Sequence, residues 1–392
     1  MYDFDTIVPR RGTGTMKWDT RPPFDADTRD MIPLWVADME FKTAPFIIEA
    51  LRQRVDHGVF GYVSVPDSYY EAVIRWFSRR HGWYIDRDWI LYTSGVVPAL
   101  SAVIKALCKP GEKVILQTPV YNCFFSSIRN NGCEILDAPL MYRDGVYSFD
   151  FEGLERACSD PDARVLLLCN PHNPAGRVWK REELEQVGRI ARRHGVVVVS
   201  DEIHCEIVMP GYKYTPFASI SHENQACCIT LCSPSKSFNI AGLQIANIVT
   251  DNEEWRRLID RAINVNEICD VNPFGVVALQ AAYSEEGSAW LKELNDYIYA
   301  NYLLLKEKLS LYPICELEGT YLAWVDVRSL GIPSQKLEED LLKSEKVWIN
   351  AGTMYGTEGF IRINLACPRA MLAEGLDRIN RGLAASAAVV RR

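Results

Sequence analysis

From residue 89 to residue 233 short apolar runs alternate with helix-patterned stretches, and few folds tolerate that rhythm. "WILYTS", "KVILQTP", "CEILDAP", "RVLLLCNP", "VVVVSDE" and "CCITLCS" each have strand length. They are apolar without alternation, as strands buried on both faces are. Between them, "PALSAVIKALC", "YNCFFSSIRNNG" and "REELEQVGRIARRHG" carry helical spacing, the last stopped by Gly195. Strands joined through helices in one sheet require right-handed crossovers. The expected fold is therefore α/β, a mostly parallel sheet sandwiched by helices. A ligand on such a sheet sits at the carboxyl ends of the strands. Polar residues gather there: "TSG", "TPVY", "NPHNPAG", "SDEIH" and "SPSK" each follow a run.

Beyond residue 284 the pattern changes to a long helical stretch, the alternating run "GTYLAWVDV", then "VWIN", "GFIRINLA" and a final helix. With 392 residues the chain is long enough for two domains. The expected division is a large ligand-holding domain over 45–284 and a smaller α+β domain over 285–392. The Pro- and Gly-containing segment 1–44 is expected to pack on the small domain.

A formal net charge of -8 argues against nucleic acid as a partner, since phosphate contacts need clustered Lys and Arg. The opening "MYDFDTIVPRRGTG" has acids where a secretory signal needs bases. No apolar run approaches the roughly 20 residues that span a bilayer, so the chain is expected to be soluble and cytoplasmic. Its twelve cysteines are scattered and lie largely in apolar runs, which suits buried free thiols. Cys227, Cys228 and Cys232 lack the paired spacing of a zinc site, and no metal is expected.

Lys236 in "SPSKSFNIAG" is the residue that asks for chemistry. It is either a strand-exit lysine whose head reaches water or a desolvated amine able to attack a carbonyl. Asp201 in "SDEIH" either caps a helix or pairs with a protonated ring nitrogen. Ser94 and Gly95 precede a helix whose free amides suit a phosphate. Asn170 and Asn173 either shape a turn or aim an amide at a ligand oxygen. Tyr121 is either core or a stacking platform for a flat ring. Arg362 is either a surface ion-pair partner or a bidentate fork for a carboxylate. One ligand unites the functional readings, with a phosphate, an aldehyde, a phenolic oxygen and a ring nitrogen: pyridoxal 5'-phosphate.

The ordered motifs "SGVVPAL", "TPVY", "NPHNPAG", "SDEIH", "SPSKSFNIAG" and "FIRINLA" resemble the fold-type I pyridoxal-phosphate enzymes, the aminotransferase-like superfamily. "RRGTGTMKWD", "LWVADMEF" and the "DEIH" ending resemble its cystathionine beta-lyase and cystalysin branch of carbon–sulfur lyases. That resemblance implies catalytic roles for Lys236, Tyr121 and Asp201. Lys236 would hold the cofactor aldehyde covalently, Asp201 the ring nitrogen and Asn173 the ring hydroxyl oxygen, with Tyr121 stacked on the ring. Amides near Val96 and Val97, with Ser233 and Ser235, would take the phosphate, and His204 would lie beside the cofactor. Tyr62, in "FGYVSVP", would reach the neighbouring subunit's phosphate, implying a homodimer with shared active sites. Arg362 would bind the α-carboxylate of an amino-acid substrate. Two positions depart from the aminotransferase pattern: His204 stands where many have tyrosine, and Gln244 where many have a phosphate-binding arginine.

The expected reaction is β-elimination of a sulfur-bearing amino acid to a thiol, pyruvate and ammonia, with Lys236 removing the α-proton. An aminotransferase, which moves the same proton to the cofactor, is the first rival. A partner-binding regulator on the same fold is the second.

Overall fold

The computed structural model describes residues 2–265 and 271–390. Seven strands form the central sheet: β1 (Ile90–Thr93), β2 (Lys113–Leu116), β3 (Glu134–Asp137), β4 (Ala163–Cys169), β5 (Val197–Asp201), β6 (Cys228–Cys232) and β7 (Ala246–Val249). Their spatial order is β1-β7-β6-β5-β4-β2-β3. The pairs β2/β3, β2/β4, β4/β5 and β5/β6 are parallel, and β7 alone runs antiparallel to both its neighbours.

In the inner strands β5, β6 and β7, and in β4 beyond Arg164, nearly every position buries its side chain on one face or the other, which is why those runs are apolar with little interruption. The edge strand β3, by contrast, leaves Glu134 and Asp137 exposed. In β4, Val165, Leu167 and Cys169 join one hydrophobic cluster, and Leu166 and Leu168 join the cluster on the opposite side. Cys228 and Cys232 of β6 likewise face one side, with Ile229 and Leu231 on the other. On the face of Leu166, Leu168, Cys228 and Cys232 lies the helix Arg181–Arg193, through Leu184, Val187 and Ile190. The face of Val165, Leu167, Cys169, Ile229 and Leu231 is covered by helices Val96–Leu107 and Asn122–Asn130, through Leu100, Val103 and Phe124. Truncating a fully buried leucine such as Leu166 to alanine costs about 2–5 kcal/mol. The helix Arg181–Arg193 ends just before Gly195, which takes the left-handed φ of +70° needed to turn the chain back into β5.

Strand β7 is absent from the expectations drawn from sequence. Its run carries Asn247 in the middle, yet Asn247 is fully buried and accepts a hydrogen bond from the Tyr69 hydroxyl at 2.7 Å. A distant partner makes a polar residue tolerable inside a sheet.

After the helix Glu285–Lys308 come the strands β8 (Leu322–Asp326), β9 (Asn350–Ala351) and β10 (Phe360–Asn364), an antiparallel sheet with β10 in the centre. Arg362 stands on β10 opposite Trp324 and Asn350. The N-terminal segment joins this region: Ile32–Pro33 pairs in parallel with Val347–Trp348. The chain then runs over Trp35–Phe41, as an irregular strap, towards the ends of the central strands. No helix among the described residues is long and apolar enough to cross a membrane. The eleven cysteines among those residues are all free, and Cys269 lies outside them.

Candidate active site

At the carboxyl ends of β1, β4, β5 and β6 the sheet opens into a cavity of about 290 Å³. Four strand ends each deliver a piece of its wall. Ser94 and Gly95 follow β1 and lead into the helix beginning at Val96; Asn173 follows β4; Asp201 closes β5; Ser235 and Lys236 follow β6. Tyr121, Val96, Val97 and His204 line the same space. Parallel register brings the strand ends level, with Cys169 opposite Asp201 and Asp201 opposite Leu231.

The charges in this wall are set by burial. Lys236 is pushed below the ordinary lysine range, first by desolvation and then by Arg362, against the pull of Asp38 and Asp201. Its Nζ donates to the Ala37 carbonyl at 2.6 Å. Asp201 is pushed up to about 7, chiefly by burial. Among the described residues the one hydrogen bond to its carboxyl comes from the Ile203 N–H at 3.2 Å. His204 is driven down to about 3 by burial and by the charges of Lys236 and Arg362, so its imidazole is neutral at physiological pH. Its Nδ1 is buried with no partner among the described residues. Burial also raises the Tyr121 phenol well above its ordinary value, keeping it protonated.

A buried acid short of donors, a desolvated amine and a helix N-terminus with free amides make a consistent donor set. A flat cationic ring carrying a carbonyl and a phosphate would satisfy each of them. The residues present therefore fit pyridoxal 5'-phosphate.

Four residues singled out from sequence lie outside this wall. Ser233 is fully buried; its hydroxyl donates to the Ile245 carbonyl at 2.5 Å and accepts from the Ser235 N–H at 3.0 Å. It braces the turn that carries Ser235 and Lys236. Arg362 sits one contact behind the cavity, donating to Asn173 Oδ1 at 3.1 Å and to the Trp35 carbonyl at 2.7 Å, with its guanidinium over the Tyr355 ring. Tyr62 is 94% exposed, between the helices Pro45–His57 and Asp67–His81. Asn170, the other asparagine of its turn, bonds instead to the Thr215 carbonyl at 3.1 Å.

Ala37 and Gln244 are among the wall residues with no role assigned from sequence, beside Pro98, Cys169, Ile203 and Ala241. Ala37 contributes a carbonyl, which any residue type supplies, so only the motif "LWVADMEF" marked its neighbourhood. Gln244 lines the cavity from a left-handed position, φ +54°, after the short turn Ala241–Leu243. In the sequence it is marked only by its departure from the aminotransferase pattern.

Known proteins are similar to this chain over nearly its whole length. The chain is 41% identical to cystathionine beta-lyase PatB of Bacillus subtilis, over 97% of this chain and 100% of that protein. It is 35% identical to protein MalY of Escherichia coli, over 96% of this chain and 97% of that one. Among solved structures, cystalysin from Treponema denticola, which contains a pyridoxal 5'-phosphate cofactor, superposes with a TM-score of 0.93 at 36% identity, covering 98% of this chain and 99% of that one. The family model for aminotransferase class I and II matches residues 29–379, a span that holds all four strand ends around the cavity as well as Arg362. On that match and those identities, the chain belongs to the aminotransferase class I and II family.

Proposed function

We propose that this protein is a pyridoxal-phosphate-dependent carbon–sulfur β-lyase, cleaving L-cystathionine, L-cysteine or related S-substituted cysteines to a thiol or sulfide, pyruvate and ammonia. The observation that carries the reading is the single cavity in which the Lys236 amine and the Asp201 carboxyl are both desolvated and open to one ligand. The likeness to PatB and to cystalysin supports the lyase over other chemistry on this fold.

When bound, the cofactor supplies an aldehyde for covalent capture and a ring that accepts electrons from the substrate α-carbon. Lys236 is the residue for the aldehyde, and its amine, kept basic but desolvated, takes the α-proton. Asp201 would hold a proton shared with the ring nitrogen, because a buried carboxylate is stabilised by a cation at contact distance. Asn173 would serve the ring hydroxyl oxygen, Tyr121 would stack on the ring, and His204 would add a neutral wall. The amides at Val96 and Val97, with Ser235 braced by Ser233, would receive the phosphate. Arg362 takes the substrate α-carboxylate as a planar fork.

The same reading assigns 45–284 to the cofactor-holding domain and 285–392 to a smaller domain that delivers Arg362, with 1–44 packed upon it. It also makes the protein a homodimer: the exposed Tyr62 would serve the partner's phosphate site, and Phe60 and Val59 beside it are exposed apolar residues. The free thiols suit the reducing cytoplasm. Incubation with L-cystathionine tests the reaction. Pyruvate and free thiol should appear without any added keto acid; an obligatory keto-acid acceptor would overturn the lyase in favour of a transaminase.

A further inference from the structure

The strap Trp35–Phe41 is held in an unusual way. It forms no strand or helix, yet five successive carbonyls, from Trp35 to Met39, each accept a hydrogen bond from a side chain. Asn350 and Arg362 bind the Trp35 carbonyl and Asn364 that of Val36; Lys236 and Tyr321 share Ala37; Lys17 and Asn364 share Asp38; Arg10 and Asn239 share Met39. Those side chains come from the N-terminal segment, the large sheet's loops and the C-terminal sheet. An irregular buried backbone needs such partners, because unpaired carbonyls are costly away from water.

The strap's own side chains are latched as well. Asp38 pairs with Arg10 at 2.6 Å and with Lys17 at 3.2 Å, and Glu40 pairs with the same two cations at 2.8 Å each. The Trp18 indole donates to Glu40 at 2.9 Å. The Lys17 side chain is fully buried in this cluster. The motifs "RRGTGTMKWD" and "LWVADMEF" are thus two halves of one latch, although neither half touches the cavity except through Ala37.

Ala37 is where the latch meets the chemistry. Its carbonyl takes the Lys236 amine at 2.6 Å and the Tyr321 hydroxyl at 3.0 Å. Tyr321 is fully buried, with its ring edge-on to His204 at 5.8 Å. We propose that the latched strap and Tyr321 together position Lys236, the Ala37 carbonyl being the fixed acceptor on which the amine rests whenever it is not covalently engaged. Tyr321 and Asp38 are positioning residues: they act through Ala37 and Lys236. This inference rests on the reading of Lys236 as the covalent and proton-transferring amine. A base held at one place delivers its lone pair in one direction, and misplacement by a fraction of an ångström slows proton transfer without weakening substrate binding.

The charges facing the amine come from several elements. Asp38 on the strap, Asp201 at the end of β5 and Cys123 on the helix Asn122–Asn130 favour its protonated form; burial and Arg362 on β10 oppose it. Asp38 in turn is held ionised by Lys17 and Arg10.

Two variants test the proposal, Tyr321→Phe and Asp38→Asn, each with the cofactor bound and after its removal. With cofactor, Tyr321→Phe should still form the covalent adduct at Lys236, while kcat on L-cystathionine falls on the order of tenfold and KM stays within about twofold. In the cofactor-free protein, acetic anhydride labelling read by mass spectrometry should modify Lys236 faster in Tyr321→Phe. The pH midpoint of that labelling should move lower in Asp38→Asn, which removes a negative charge near the amine. If Asp38→Asn does not fold, Tyr321→Phe decides alone. Unaltered kcat and labelling overturn the positioning role, and so does a fall in kcat with unaltered labelling, since the effect would then not run through Lys236. Failure of the unaltered protein to form any adduct would instead remove the underlying reading of Lys236.

Discussion

Asp201 and Glu206 lie five residues apart in one stretch, "DEIHCE", and both are buried, yet their carboxyls have opposite fates. Asp201 is pushed up to about 7. Glu206 is pulled down to about 2, because His81 and Arg80 outweigh the same upward push of burial. Glu206 accepts from the Trp76 indole at 2.6 Å, from Arg80 Nε at 2.8 Å and bonds to His81 at 2.8 Å. Asp201 has one backbone amide. Burial penalises both charges alike, so the difference lies in partners supplied by the fold. Glu206 is complete in the protein alone; Asp201 is complete only with something in the cavity.

The comparison breaks most plainly at Asp201→Asn. Turnover of L-cystathionine should drop on the order of 10²–10³-fold, the scale of losing one aimed charge in a water-poor site, measured as pyruvate release at saturating cofactor. A rate near that of the unaltered enzyme would erase the distinction between the two acids. Glu206→Gln should do the reverse. It leaves Arg80 and His81 without their shared anion and costs about 3–5 kcal/mol in urea unfolding, with turnover per folded molecule within about twofold.

The smallest effect concerns pH. In the cofactor-free protein the folded carboxyl of Asp201 binds its proton more tightly than the ordinary value of 3.8. The folded state therefore holds more protons between about pH 4 and about pH 7, and stability from this group is lost as pH rises through that window. Glu206 has the opposite sign, its ordinary value being 4.5: its contribution is fully present above that value and lost as pH falls towards about 2. The urea midpoint of cofactor-free Asp201→Asn should exceed that of the unaltered chain by a margin that widens from about pH 4 to about pH 7. Cofactor should abolish that margin.

Much of the sheet and the centre of the site were legible because both depend on local features. Continuous apolar runs marked β1 to β6, and Lys236, Asp201 and Asn173 each follow such a run within a few residues. Strand β7 was illegible, because Asn247 is made tolerable by Tyr69, 178 residues away. Glu206 gave no signal for the same reason, its partners lying on the helix Asp67–His81. The function of the strap could not be read either. Its contribution is made by carbonyls, which no residue type advertises, and the side chains that hold them are scattered from Arg10 to Asn364.

The cavity wall takes one piece from each of four strand ends, spread from Ser94 to Lys236. No fragment ending before the turn that follows β6 can assemble it. Uptake of the coenzyme during refolding, followed by its absorbance, would therefore report the docking of β6 and of β7, which joins β1 to it, and the enzyme carries its own reporter of when its scaffold is finished.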